Sequence, residues 1–288
     1  MKRNTVVAGG VDLAWVEQGR GPPVVYLHGA LTTLEEGWLG PLPDLATEHR
    51  VIAFDRPGHG LSGTAPGLGA VWRQAAVIRG AVRALDVVDP VLVGHSFGGA
   101  VALAYALQFP DEIRGVVGLA PIALPEARLE TALFGVRSWP GSGPWINAMA
   151  APVDAALLPI LWRAMFLPQS MPDRFASDFP RDLAGGRSQL RADGEEALAM
   201  PMELSRSALA YGGARAPLII LQGERDAVVS PWRQGRMLAA LWPRAEFRGL
   251  AGLGHMAHHF RPDAVIQAVE DLASGSLARR AERAPAFA

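Results

Sequence analysis

The 288-residue chain contains no cysteine. That absence excludes disulfides, thiolate nucleophiles and cysteine-based zinc sites together. Lysine is almost missing as well, since Lys2 is the only one. Charge is scarce and balanced, with 27 basic against 28 acidic residues, 19 % of the chain in all, and a formal net charge of −1. Such a balance offers no electrostatic footprint for nucleic acid or an anionic membrane surface. No charge-free apolar run of about 18 residues is present, so no transmembrane segment is expected. After Met1-Lys2-Arg3-Asn4 the stretch Thr5 to Gly10 is too short and Gly-rich for the apolar core of a signal peptide. The expected compartment is therefore the cytoplasm. There is no internal repeat, and nothing in the sequence speaks to oligomeric state.

Half of the residues are hydrophobic, enough for a sizeable core in one large domain or two small ones. Val6 to Ala8 and Val11 to Val16 flank Gly9-Gly10, a two-residue hairpin pattern. Apolar runs at Pro23 to Leu27, Val51 to Phe54, Val91 to Val93 and Gly115 to Leu119 read as strands. A helix is expected between Trp38 and Glu48. Another is expected over Val71 to Leu85, where apolar residues fall at 71, 75, 78, 82 and 85. Strands and helices alternate, which implies right-handed crossovers and a mostly parallel sheet.

The alternation stops at Pro121. Residues 122 to 212 lack clear strands and are rich in Ala, Leu, Met, Trp and Pro. Repeated prolines (Pro144, Pro152, Pro159, Pro168) predict several short helices there. This stretch reads as a helical cap inserted into a core domain formed by residues 1–121 and 213–288. Its aromatics, Trp139, Trp145, Trp162 and Phe166, together with Leu31 and Met256, are expected to line an apolar pocket. Strands resume at Pro217 to Gln222 and near Ala245 to Arg248. A helix is expected around Trp232 to Leu241 and a last one over Pro262 to Leu272, before a loose tail from Arg279 to Ala288.

The strand Val91 to Val93 leads through Gly94-His95-Ser96-Phe97-Gly98 into an Ala- and Leu-rich helix that stops at Pro110. A strand passing into a helix through Gly-x-Ser-x-Gly is a nucleophile elbow, which lifts the serine hydroxyl clear of the sheet at a helix N-terminus. A lone serine is inert; it needs a base, and the base needs an orienting acid. Asp226 and His255 follow later predicted strands, in the order Ser, Asp, His. Glu224 and Glu126 are weaker candidates for the acid, and His258 and His259 for the base. His28, His59 and His95 read as residues bracing loops. No His-Glu-x-x-His pattern accompanies the histidines near 255, so no metal site is expected.

Taken together, His28-Gly29 after an early strand, Asp55 to Gly60 after the next, the elbow at Gly94 to Gly99, Gly223-x-x-Asp226 and Gly254-His255 resemble an α/β-hydrolase fold serine hydrolase with an inserted helical cap. The resemblance covers nearly the whole chain. It implies that Ser96, His255 and Asp226 act as nucleophile, base and acid. It also implies that the backbone N–H groups of Phe97 and Ala30 bind the oxyanion, without cofactor. The activity it implies is hydrolysis of a small-molecule carboxylic ester with an apolar part, through an acyl-serine intermediate. Ser96 at the elbow argues against the dehalogenases and epoxide hydrolases of this superfamily, which place aspartate there. Carbon–carbon bond hydrolases of the meta-cleavage type usually carry a Gly-rich His-Gly-x-Gly-Pro-Gly loop, which His28-Gly29-Ala30-Leu31-Thr32-Thr33 lacks. A hydroxynitrile lyase would normally need a lysine near the site. A perhydrolase activity, and a ligand sensor that keeps the fold with slow turnover, stay open as alternatives.

Overall fold

The computed structural model describes residues 1–127, 129–139 and 141–275. The tail from Arg279 lies outside the described residues. Eight strands form one sheet: β1 (Asn4–Ala8), β2 (Val11–Gln18), β3 (Pro23–Leu27), β4 (Arg50–Phe54), β5 (Val91–His95), β6 (Gly115–Leu119), β7 (Leu218–Gly223) and β8 (Ala245–Leu250), in the spatial order β1-β2-β4-β3-β5-β6-β7-β8. β1 and β2 pair antiparallel through a turn in which Gly9 and Gly10 both have positive φ, the backbone a two-residue hairpin requires. β2 is antiparallel to β4, and β3 to β8 are parallel to their neighbours. The mostly parallel α/β architecture expected from the alternation is present.

Side chains leave the buried strands alternately. Val25, Leu27, Ile52, Phe54, Leu92 and Ile220 join one apolar layer, together with α1 (Val71–Ala84) and α2 (Phe97–Gln108). Val24, Tyr26, Val51, Ala53, Val93 and Ile219 join the opposite layer, packed on the C-terminal helix. Strands buried on both faces read as continuous aliphatic runs, as these do. α1 buries Val71, Ala75, Ile78 and Val82, the stripe its spacing implied.

The chain leaves β3 for β4 on one side and returns to β5 on the other. Crossovers that run in opposite directions from adjacent strands open a crevice at the strands' C-terminal ends. The loop after β3 and the loop after β5, carrying His28-Gly29 and Ser96, border that crevice.

Two helical expectations are corrected. In place of one helix between Trp38 and Glu48, two single turns form, Glu35–Trp38 and Leu42–Leu45, with Pro41 between them. The segment between β6 and β7 is helical and includes the expected short helices, such as Asp173–Asp178 and Arg181–Ala184, but not all of its prolines end a helix. α3 (Gly143–Ala164) runs for 22 residues through Pro152 and Pro159, and α4 (Arg187–Ala210) for 24 through Pro201. Pro152 and Pro201 lie on exposed faces. There the carbonyl that loses its partner meets water, so the helix can continue past the proline. Pro144 stands in the first turn of α3, where a missing N–H costs nothing.

By length and composition alone, Trp145–Ala164 is apolar enough to cross a membrane, and 22 % of it is buried. The run is not free of charge, since Asp154 and Arg163 lie within it. Asp154 is buried in a two-bond pair with Arg137, at 2.6 and 2.8 Å.

Candidate active site

Ser96 occupies the step from β5 into α2 with φ 52° and ψ −114°, a strained conformation for a side-chain-bearing residue. Two glycines make that step possible. A Cβ on Gly94 would strike the Gly98 carbonyl, and one on Gly98 would strike the Leu27 carbonyl of β3. Ser96 N–H donates to the Leu119 carbonyl at 2.9 Å, and its carbonyl accepts from Gly99 N–H at 3.0 Å, so the strained residue is held from both sides.

β7 ends at Gly223, and the turn that follows presents Asp226. Its Oδ1 accepts the Val228 and Val229 N–H groups, both at 2.8 Å. Its Oδ2 lies 2.9 Å from His255 Nδ1 and 3.3 Å from the Gln222 amide nitrogen. Burial by itself raises this carboxyl. The His255 ring and the two backbone donors outweigh that, and the group titrates below the usual aspartate range. Glu224 points instead toward solvent and Arg236.

His255 and Ser96 share the wall of a cavity of about 300 Å³ at the crevice. Ala30, Leu31 and Val228 complete its floor, and Leu133, Phe134, Leu161, Ala164 and Met165 reach it from the helical insertion. Glu126 lies at the same cavity. Among the described lining residues there is no arginine or lysine.

The other expected pocket residues fall elsewhere. Trp139 and Trp145 are 51 % and 75 % exposed and do not line the cavity. Trp145 shares the outward stripe of α3 with Met149, Val153 and Ile160. Trp162, Phe166 and Met256 are buried in an apolar cluster with Leu31, behind the wall and not on it. Phe97 is fully buried at the start of α2, with the Arg56 guanidinium 4.7 Å from its ring centre.

Four further histidines, His28, His59, His95 and His258, are tied into two buried networks. His28 Nε2 accepts Arg56 N–H at 3.0 Å, and its Nδ1 lies 2.8 Å from the Gly29 carbonyl. His258 Nε2 donates to Glu36 Oε1 at 2.6 Å, and His95 Nδ1 lies 3.3 Å from the same oxygen. Arg56 pairs with Glu196, and His59 Nε2 lies 3.2 Å from Asp193. Glu36, Glu196 and Asp193 were not anticipated from the sequence.

Two triples, Glu36/His95/His258 and His59/Asp193/Glu196, hold donor atoms within 4.8 Å of one another, close enough to bind a metal ion. In the second, Arg56 and Gln74 already serve Glu196, so the carboxylates have positive charge beside them.

Burial holds His258 down at about 4 and pushes His28 and His259 well below the ordinary imidazole range. The sign follows directly. Between the folded and unfolded values only the unfolded chain binds these protons, so acidification below about 6.5 favours unfolding. His59 opposes this: burial lowers it, but Glu196 and Asp193 raise it overall, and its contribution is lost as pH rises. Three groups outweigh one on the acid side. We predict a thermal midpoint clearly lower at pH 5 than at pH 7, with a slope on the order of 1 kcal/mol per pH unit per histidine. Equal midpoints at the two pH values would contradict it.

A buried carboxylate is thus bonded to an imidazole, and that imidazole and the strained elbow serine line one cavity. Residues 22–262 match the family model for the alpha/beta hydrolase fold. The chain belongs to the α/β-hydrolase fold family. It is 35 % identical over 122 residues to a 2-hydroxy-6-oxo-2,4-heptadienoate hydrolase of Pseudomonas putida strain F1, a match spanning 41 % of this chain and 44 % of that one. It is 30 % identical over 215 residues to a pimeloyl-[acyl-carrier protein] methyl ester esterase of Shewanella sp. strain MR-7, covering 75 % and 72 % of the two chains. An alpha/beta hydrolase fold protein from Burkholderia ambifaria superposes with a TM-score of 0.78 at 21 % identity, over 93 % of this chain and 97 % of that one. The two curated relatives are hydrolases by name, and what this chain shares with them is membership of the fold family.

Proposed function

We propose that this α/β-hydrolase cleaves carboxylic esters through an acyl-Ser96 intermediate. The observation that carries the reading is the 2.9 Å contact between His255 Nδ1 and Asp226 Oδ2, with the ring and Ser96 on one apolar cavity. His255 accepts the Ser96 proton as Oγ attacks the ester carbonyl, then delivers it to the departing alcohol. Asp226 keeps the Nδ1–H tautomer and stabilises the imidazolium. The N–H groups of Phe97 and Ala30 receive the oxyanion. Water activated by His255 then releases the acid. No cofactor or metal enters these steps.

The insertion of residues 122–212 acts as a cap whose inner side chains select the substrate. A volume of about 300 Å³ is at the small end for a ligand cavity, which favours a short acyl or alcohol part. Carbon–carbon bond hydrolysis is the second reading, raised by the heptadienoate hydrolase relative. A dienoate carries a carboxylate, and no basic residue stands among the described lining groups to receive it.

Chain-length series decide between them. We expect p-nitrophenyl esters to be hydrolysed with an optimum at short acyl chains, and 2-hydroxy-6-oxo-2,4-heptadienoate to be at least about 100-fold poorer in kcat/KM, a gap of about 3 kcal/mol. A preference for the dienoate would replace the ester reading with the second one.

A further inference from the structure

The helical insertion does more than border the cavity: it grips the backbone of the loop after β3. Leu31 N–H donates to Asp193 Oδ1 at 3.0 Å. Trp162 Nε1 donates to the Leu31 carbonyl at 2.9 Å. The Gln189 amide donates to the Thr32 carbonyl at 3.0 Å and accepts Gly60 N–H at 3.1 Å. All three side chains are buried, and they lie 129 to 162 residues along the chain from the groups they hold. Gln189, Asp193 and Glu196 stand at i, i+4 and i+7 on α4, one helix face. Through Glu196 the same face also holds Arg56, whose Nη2 donates to the Gly29 carbonyl at 3.1 Å.

The consequence is geometric. The Gly29 oxygen, the Leu31 N–H, the Leu31 oxygen and the Thr32 oxygen belong to four successive peptide planes, and each is bonded from outside the loop. The Ala30 N–H shares the first plane with the Gly29 oxygen. Leu31 between them has φ 56°, a left-handed conformation that a leucine keeps only when its surroundings over-determine it.

We propose that Trp162, Gln189 and Asp193 are positioning residues that set the direction of the Ala30 N–H, so that the cap assembles the oxyanion site as well as shaping the cavity. This rests on the ester-hydrolase reading above. Bonds that served only to anchor the insertion would affect stability and access, but not the transition state selectively.

The test uses Trp162→Phe, which removes the indole donor and keeps an aromatic against Phe179, and Asp193→Leu with Asp193→Asn as the conservative partner. The asparagine oxygen can still accept Leu31 N–H. In Trp162→Phe and Asp193→Leu, kcat should fall about 10- to 100-fold with KM within twofold, short of the loss of about 10²–10³ when an oxyanion donor is removed outright. Asp193→Asn should recover most of it. Affinity for a trifluoromethyl ketone should fall by the same factor as kcat. Its carbonyl carbon bonds to Ser96 Oγ, the serine proton passes to His255, and an alkoxide is left at the oxyanion site. Amide hydrogen exchange over residues 29–33, measured without substrate, should quicken in Trp162→Phe. Unchanged kcat and ketone affinity, or a change in KM alone, would overturn the proposal, and Trp162→Phe decides if the Asp193 variants do not fold. A wild-type protein that hydrolyses no ester would overturn the ester reading; the exchange measurement then decides the clamp, unchanged rates overturning it.

Discussion

Replacing Ser96 with alanine is expected to lower kcat for ester hydrolysis by about 10⁶-fold, the loss seen when the nucleophile of an unrelated serine hydrolase is removed. The expectation follows from the elbow. Gly94 and Gly98 admit no side chain, and the backbone at 96 is already at φ 52°, so the alanine protein keeps its fold and loses only the oxygen. Nothing else at the cavity can replace that oxygen. Among the described lining residues no other hydroxyl is present, and the chain has no thiol. Stoichiometric labelling of the wild type by a fluorophosphonate, absent in Ser96→Ala, is the companion measurement. Retained hydrolysis in the variant would rule out an acyl-serine.

Asp226→Asn is expected to cost about 10⁴-fold in kcat, with substrate binding little altered. The local hydrogen bonds dictate why. Oδ1 of Asp226 accepts two backbone N–H groups at 2.8 Å, so an asparagine must place its own oxygen there. Its amide nitrogen then faces His255 Nδ1 and donates to it. The imidazole is driven to carry its proton on Nε2, and in that tautomer it cannot accept the serine proton. The same amide also meets the Gln222 Nε2 donor, which keeps its bond to the Val229 carbonyl at 2.7 Å. Steady-state kinetics would show a large fall in kcat at nearly constant KM, and fluorophosphonate labelling slowed but not lost. A rate within tenfold of wild type would show that this carboxylate does not orient the base.

The inner sheet was legible because its strands are aliphatic runs at regular intervals, and the candidate site because Ser96 and Asp226 stand just beyond such runs and His255 follows the strand Ala245–Leu250. The residues that hold the loop after β3 were not legible. Gln189, Asp193 and Glu196 on α4 repeat with the period of a helix face, and polar residues so spaced usually meet water. Here that face is buried against residues 29–32 and 56–60, a packing partner 129 or more residues distant that no local pattern announces. Glu36 was hidden similarly, as an acid beside another acid just after the His28 loop. The tryptophans failed for a different reason. α3 is apolar nearly all round, so its periodicity has no contrast to say which stripe turns inward. Composition placed Trp139 and Trp145 at the pocket; α3 turns Trp145 to solvent, and Trp139, in the segment before α3, is exposed as well.

β3 and β5 are neighbours with Leu27 opposite Gly94, so the loop bearing Ala30 and the elbow bearing Ser96 start side by side, about 4.8 Å apart. Their spacing is thus a property of ladder hydrogen bonds and can change only in whole-residue jumps. A slip of one position would turn every buried side chain of β3 to the wrong layer. Misassembled molecules should therefore be wholly inactive, never partly so, and the burst of p-nitrophenol released on the first turnover would count the correctly paired molecules in any preparation.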